Sequence, residues 1–198
     1  MDIFNKIKLI LLKPNEFFLN LKEEGIKEAF WFFVVLSVFY SIVSSALLIG
    51  LSSVFNLNAY LSGLNVTGIS SKYLTMFFTT PSIIKLSLLG LISGVLFSFV
   101  IGLGLFFWLQ VFKGKEGYAK AYQLYVYSTT PSLVFGWIPF VKFFAGAYAI
   151  FLLILGTKNI YNFSMTKSVL MYVAPLVVIY LLSLVLMGVV FFSLLSPF

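Results

Sequence analysis

The chain has 198 residues, of which 61% are hydrophobic and only 10% are charged. Soluble domains carry about 25% charged residues, so this composition indicates a membrane protein. Because the chain contains no Cys, no His and no Arg, disulfides and thiolate or imidazole metal sites are excluded, and we expect no cofactor. All positive charges are lysines, and the net charge of +7 does not indicate nucleic-acid binding without arginine.

Residues 1–28 are predicted to form two amphipathic helices at the cytoplasmic surface of the membrane. An apolar face runs along the first helix, and Lys6, Lys8 and Lys13 are expected to face polar surroundings. Pro14 suits the first turn of the second helix, and Gly25 is placed to end it. The simpler interpretation is a segment that anchors the first span. The alternative is a helix that binds a protein partner.

Five apolar runs follow and predict five membrane-spanning helices. A hydrocarbon core about 30 Å thick requires about 20 residues of helix, and the fourth run reaches this length only if Lys142 extends outward to the membrane surface. The predicted fold is therefore an all-α polytopic integral membrane protein, a five-helix transmembrane bundle with N-terminal interfacial amphipathic helices. The predicted spans are residues 29–51, 84–112, 119–137, 139–157 and 168–195.

The lysines predict the orientation of the bundle. With five spans, one side of the membrane carries ten lysines and the other three, so the positive-inside rule places the N-terminus in the cytoplasm and the C-terminus outside. Asn65 begins an N-x-Thr sequon in the predicted external loop, a weak motif whose glycosylation the sequence does not determine. The larger group is Lys6, Lys8, Lys13, Lys22, Lys27, Lys113, Lys115, Lys120, Lys158 and Lys167, and the smaller is Lys72, Lys85 and Lys142.

Small residues recur at a spacing of four in the first two spans. Such residues allow transmembrane helices to approach closely, so we expect the two spans to pack along these stripes. A substitution such as Gly94→Leu would then destabilise the protein. The alternative is that the stripes line a substrate path. The residues are Ser37, Ser41 and Ser45 in the first span, and Gly90, Gly94, Ser98 and Gly102 in the second.

The acidic residues give no indication of catalysis. None of the six lies within a predicted span, so no carboxylate pair is available there for proton transfer or cation binding. A nucleophile–base pair of Ser128 or Thr129 with Lys142 would join groups predicted at different depths of the membrane. We therefore expect no enzymatic activity.

The third and fourth predicted spans are the most polar and are interrupted by proline. Pro131 cannot donate a backbone hydrogen bond and is expected to kink the helix. The simpler interpretation is a kinked hairpin with structural polar residues. The alternative is a polar groove between these two spans that contacts a lipid, a prenyl group or a partner. The candidate contact residues are Tyr127, Ser128, Thr129, Pro131, Gly136, Trp137, Pro139 and Lys142.

Three stretches resemble the Yip domain family, and in particular its prokaryotic branch. They are "LLKPNEFFLNLKEEGIKEAF" (residues 11–30), "FKGKEGYAKAYQLYVYSTTPSLVFGWIP" (residues 112–139) and "AYAIFLLILGTKNIY" (residues 147–161). The resemblance implies an integral protein with five spans, a cytoplasmic N-terminus and an external C-terminus. The expected location is a prokaryotic plasma membrane. Eukaryotic members are associated with Rab-type GTPases. This chain lacks their Asp-Leu-Tyr-Gly-Pro motif, so GTPase binding is not carried over.

The expected function is that of a non-enzymatic membrane-organising or adaptor protein. The cytoplasmic lysines are expected to contact anionic lipid headgroups, and the N-terminal helices to contact a protein partner. A homo-oligomer is compatible with the sequence, and no nucleic-acid partner is expected. The alternative is a transporter or lipid-handling protein that uses the groove between spans three and four.

Overall fold

The computed structural model describes residues 2–21, 25–54 and 79–195, with side chains described as far as residue 187. The Asn65 sequon, Lys22 and Lys72 lie outside the described residues. Within these ranges every regular element is an α-helix. The helices are α1 (Ile3–Leu12), α2 (Pro14–Leu19), α3 (Ile26–Val54), α4 (Thr80–Val111), α5 (Tyr118–Ser128), α6 (Thr130–Phe135), α7 (Val141–Tyr161) and α8 (Met165–Leu195).

Four of these helices, α3, α4, α7 and α8, are long and apolar enough to cross a membrane. They correspond to the first, second, fourth and fifth predicted spans. The predicted third span, residues 119–137, is not one long helix, because it is divided into α5 and α6 at Thr129.

Pro131 explains this division. The residue lies in the first turn of α6 and has no N–H to continue the hydrogen bonds of α5. The backbone N–H of Thr129 still bonds to the carbonyl of Tyr125 at 3.1 Å, and the N–H of Leu133 bonds to the carbonyl of Thr129 at 3.1 Å. Helical bonding thus continues on both sides of the proline, and the interruption is local. The hydroxyl of Thr129 donates to the carbonyl of Val126 at 2.9 Å, a common bond of a helical threonine to a carbonyl one turn earlier.

Helix α5 is the central element of the bundle and packs against α3, α4 and α7. Seven of its eleven residues are buried, and Tyr122, Leu124 and Tyr127 are fully enclosed. Helix α8 packs on α7 and otherwise exposes apolar side chains. The core is therefore built around a polar, aromatic helix, while the longer apolar helices form the outer surface.

The two N-terminal helices belong to this core. Ile10 is fully buried and Phe18 is 2% exposed, and α2 packs against α7. The expectation that Lys6 faces polar surroundings is wrong, since its side chain is only 6% exposed. Lys8 and Lys13 are exposed as expected. The division into an interfacial segment, 1–28, and a five-span domain, 29–198, stays a prediction.

Long-range contacts define one end of the bundle, here called the lysine end. The Lys120 ammonium donates to the carbonyl of Leu21 at 3.0 Å, and the Lys167 ammonium donates to the carbonyl of Phe112 at 2.7 Å. The side-chain amide of Asn159 donates to Asn15 Oδ1 at 2.9 Å. These contacts bring together α2, the ends of α4 and α7, and the beginnings of α5 and α8.

Candidate functional site

Helices α3 and α4 contact each other through serines. Ser45 Oγ lies 2.7 Å from Ser87 Oγ, and Ser41 Oγ donates to the carbonyl of Ser87 at 3.4 Å. Ser41 and Ser45 belong to the predicted stripe of α3. Ser87 was not predicted, because it precedes Gly90 by three residues and falls outside a strict spacing of four. A helical spacing of three or four would have included it.

The close backbone approach expected at Gly90 and Gly94 is not found. A Cβ atom built on either glycine meets no heavy atom within 4 Å. Gly102, in contrast, faces α5, where a Cβ would lie 2.8 Å from the Tyr122 ring. Ser98 is fully buried beside the same tyrosine, with 3.1 Å between the two hydroxyl oxygens. The predicted stripe of α4 therefore divides between two neighbours, and the destabilisation expected for Gly94→Leu loses its physical reason.

The open space beside Gly90 and Gly94 belongs to a groove of about 310 Å³ between α3, α4 and α6. We call it the hydroxyl groove. It is partly open, its lining side chains carry no formal charge, and its polar atoms come mainly from serine and tyrosine hydroxyls. The lining residues are Phe33, Ser37, Tyr40, Ser41, Ser44, Ser87, Gly90, Leu91, Gly94 and Leu133.

Two serine hydroxyls in this groove lack a hydrogen-bond partner within the described part of the chain. Ser44 Oγ is buried without a partner. Ser37 is 8% exposed, and its hydroxyl makes no hydrogen bond to any described residue. Serines in helices commonly bond to a carbonyl one turn earlier, as Ser45 does to Ser41 at 2.6 Å. Ser37 and Ser44 therefore offer free hydrogen-bonding capacity to the groove.

The eight residues predicted to line a groove between spans three and four do not share one surface. Tyr127, Ser128 and Pro131 are buried in protein, while Pro139 and Lys142 are exposed. Gly136 is buried, Thr129 and Trp137 are half-buried, and the Trp137 indole N–H donates to the carbonyl of Val134 at 2.8 Å. Lipid or partner contact at these eight residues stays a prediction.

Tyr127 instead holds the N-terminal helices in place. Its ring packs edge-on against Phe17 at 5.1 Å and against Phe32 at 5.4 Å between ring centroids. The Lys6 ammonium lies 5.2 Å from the centre of the Tyr127 ring and donates to the tyrosine hydroxyl at 3.4 Å. A cation in such an aromatic setting is attracted by the ring quadrupole. This cluster joins α1, α2, α3 and α5.

Nearby, two hydroxyls of the α5–α6 junction are buried. Ser128 Oγ and Thr130 Oγ1 have no partner among the described residues. Both flank Thr129, the residue at which α5 ends and α6 begins. Buried polar groups without partners are uncommon in folded proteins, and this pair marks the junction as a polar point inside the bundle.

The lysine end presents several exposed lysines. Lys113 and Lys115 are exposed in the turn after α4, and Lys13 is exposed on the neighbouring N-terminal segment. Lys113 adopts a positive φ of 64°. The N–H of Lys113 bonds to the carbonyl of Gln110 and that of Gly114 to the carbonyl of Leu109, both at 2.9 Å. This pair of bonds is a Schellman motif, which fixes the turn.

The described residues contain no group of acidic side chains that could hold a metal ion. The fold is that of a polytopic helical membrane protein with four candidate spans.

The chain belongs to the Yip1 domain family, whose model matches residues 8–187. The matched residues begin within α1 and end within α8. Members of this family are generally non-enzymatic proteins of membrane trafficking. No curated protein matches the chain, and no solved structure matches it either.

Proposed function

We propose that α5 and α6 together form a fifth crossing of the membrane. The chain leaves α4 at the lysine end and enters α5 at the same end, whereas α7 begins at the other end and returns to the lysine end. Residues between α4 and α7 must therefore carry the chain across the bundle. The segment from Tyr118 to Phe135 is about 27 Å long at 1.5 Å per residue, close to the thickness of a hydrocarbon core.

The orientation we propose places the lysine end in the cytoplasm of a prokaryotic cell, with the C-terminus outside its plasma membrane. Lys113, Lys115, Lys120, Lys158 and Lys167 belong to the segments gathered at this end. Positively charged loops are retained on the cytoplasmic side. The resemblance to prokaryotic Yip-family sequences supports the compartment.

The role we propose is that of a non-enzymatic membrane-organising or adaptor protein that binds anionic lipid headgroups at its lysine end. The observation that carries this role is a hydrogen-bonded turn that exposes two lysines. Lys113 and Lys115 extend from a turn closed by two backbone hydrogen bonds, and the turn is joined to α8 by the Lys167 bond to Phe112. A lysine near an anionic membrane surface contributes about 1 kcal/mol of attraction.

A protein partner at the N-terminal helices is the second part of this proposal. Phe4 and Leu12 are 72% and 70% exposed on α1, and Leu19 is 61% exposed on α2. These side chains are available to a partner or to the membrane surface. Deleting the segment is an unsuitable test because Ile10 and Phe18 form part of the core.

The experiment is affinity purification in mild detergent, followed by mass spectrometry of co-purified lipids and proteins. The double variant Lys113→Gln/Lys115→Gln should lose anionic lipid, and the matched variant Lys142→Gln, at the opposite end of the bundle, should retain it. Phe4→Ser should lose any partner bound at α1. Equal anionic lipid in the wild type and the double variant would contradict the proposed role of the lysine end.

The alternative role, a transporter or lipid-handling protein with a groove between spans three and four, has weaker support at that position. Tyr127 and Pro131 are buried within the bundle. In the described structure, a groove of about 310 Å³ lies instead between α3, α4 and α6.

A further inference from the structure

We propose that the hydroxyl groove is a binding site for a neutral lipid, a molecule with hydrocarbon chains and an uncharged headgroup of carbonyl and hydroxyl oxygens. This site is separate from the lysine end and does not depend on the adaptor role.

The depth of the groove supports a neutral headgroup. Ser37 and Ser44 lie in the middle of α3, which extends from Ile26 to Val54, and Gly94 lies in the middle of α4. At 1.5 Å per residue, Ser37 is about 17 Å and Ser44 about 15 Å from the nearer end of α3. These hydroxyls therefore lie within the hydrocarbon region, where a charged headgroup is strongly disfavoured.

The chemistry of the lining supports oxygen atoms in the occupant. An entirely apolar chain would leave the buried Ser44 hydroxyl without a partner and would place no acceptor or donor beside Ser37, which is 8% exposed; both are unfavourable away from water. A headgroup with ester carbonyls accepts hydrogen bonds from both serines, and its own hydroxyl donates one. The rings of Phe33 and Tyr40 and the side chains of Leu91 and Leu133 supply the apolar walls for the hydrocarbon part.

The position of the groove supports a lipid rather than a water-soluble ligand. Both of its long walls are candidate membrane spans, and the neighbouring surface of α4 exposes Ile92, Leu96 and Phe97. A molecule that reaches the groove from this side comes from the bilayer. Diacylglycerol has the required features: two ester carbonyls, one hydroxyl and no charge.

The test uses the full-length protein in phosphatidylcholine vesicles that contain a trace of diacylglycerol with a photoactivatable diazirine in one chain. After irradiation, labelled peptides are identified by mass spectrometry. We expect labelling near residues 37–44 and 87–94. An excess of unlabelled diacylglycerol should suppress it, and the same excess of phosphatidylcholine should not. Equal competition by phosphatidylcholine would overturn the proposal, since it would describe a crevice filled by ordinary bilayer lipid.

Three variants connect the labelling to the groove. Gly94→Leu adds a side chain into open space. Because this side chain would block the site, labelling should fall at least about tenfold. Ser37→Ala keeps the space and removes one hydrogen bond, so labelling should fall roughly fivefold. Ser93→Leu is the control, since Ser93 is exposed on the same helix and bonds to the carbonyl of Gly90 at 3.1 Å.

Folding of each variant is checked by its thermal transition. If Gly94→Leu is folded and still labelled as strongly as the wild type, the groove is not the site. If that variant does not fold, Ser37→Ala and the wild-type competition decide the question. Unchanged labelling in Ser37→Ala would overturn the hydrogen-bonded placement of the headgroup.

Discussion

Replacing Gly156 by alanine should weaken the attachment of α2 to the bundle. A Cβ atom at this position would lie 2.5 Å from Leu124 Cδ1 and 3.0 Å from Phe18 Cε1. Leu124 is fully buried and Phe18 is 2% exposed, so neither side chain has solvent into which it can move. Overpacking of this kind destabilises a core by about 1–3 kcal/mol.

Gly94→Ala is the matched control. Both glycines lie inside long helices, so the gain of about 1 kcal/mol from a better helix former applies to both variants. At Gly94 the added Cβ meets nothing within 4 Å, so the variants differ by the overpacking term alone. For a chain of 198 residues, a difference of about 1–3 kcal/mol lowers the Tm by about 2–12 °C.

The assay is thermal unfolding in mild detergent, followed by the fluorescence of the three tryptophans at one fixed scan rate, because membrane proteins often unfold irreversibly. Gly156→Ala should unfold below Gly94→Ala, and trypsin should cleave the N-terminal segment faster. In a double-mutant cycle, Leu124→Ala should relieve part of the effect of Gly156→Ala, since the two residues share one contact. Equal transition temperatures for the two glycine variants would refute the reasoning.

Two further predictions concern lysines whose environments differ sharply. Lys6→Ala should destabilise the protein by about 1–2 kcal/mol, because it removes the contacts with the Tyr127 ring and hydroxyl, whereas exposed Lys8→Ala should change stability by less than about 0.5 kcal/mol. Equal thermal transitions for these two variants would contradict the burial of Lys6. Lys113→Gly should raise the stability by roughly 0.5–1 kcal/mol because it relieves a positive φ. Lys115→Gly, where φ is not positive, should lower stability slightly, and a gain of the same size there would show that strain is not the cause.

The long helices could be predicted from the sequence because length and hydrophobicity alone identify them. The runs that became α3, α4, α7 and α8 are apolar over a length that few soluble helices reach. The lysine positions also assigned to one side of the membrane the loops that lie together at one end of the bundle. This was possible because the charge beside a span can be read from the local sequence. Both signals are read within one segment and need no knowledge of its neighbours.

Contacts between distant segments could not be predicted in this way. Lys6 and Tyr127 are 121 residues apart. The helical periodicity around Lys6 predicted a polar face, because a periodicity within one helix contains no information about the packing of α5 against it. The same limit applies to the hydroxyl groove. The spacing of Gly90 and Gly94 indicated a helix contact, but whether small residues admit a neighbouring backbone or leave open space depends on the separation of α3 and α4.

The composition of α5 follows from its position at the centre of the bundle. A helix that faces lipid must be apolar on its outer surface, whereas a helix enclosed by α3, α4 and α7 can carry Gln123, Tyr122 and Tyr127 if neighbouring side chains satisfy them. The polar residues of the third predicted span suggested a groove when read as part of a lipid-facing helix. In the structure they are interior contacts of the bundle, and the hydroxyls available to a ligand come from α3, whose sequence is otherwise that of an ordinary membrane span.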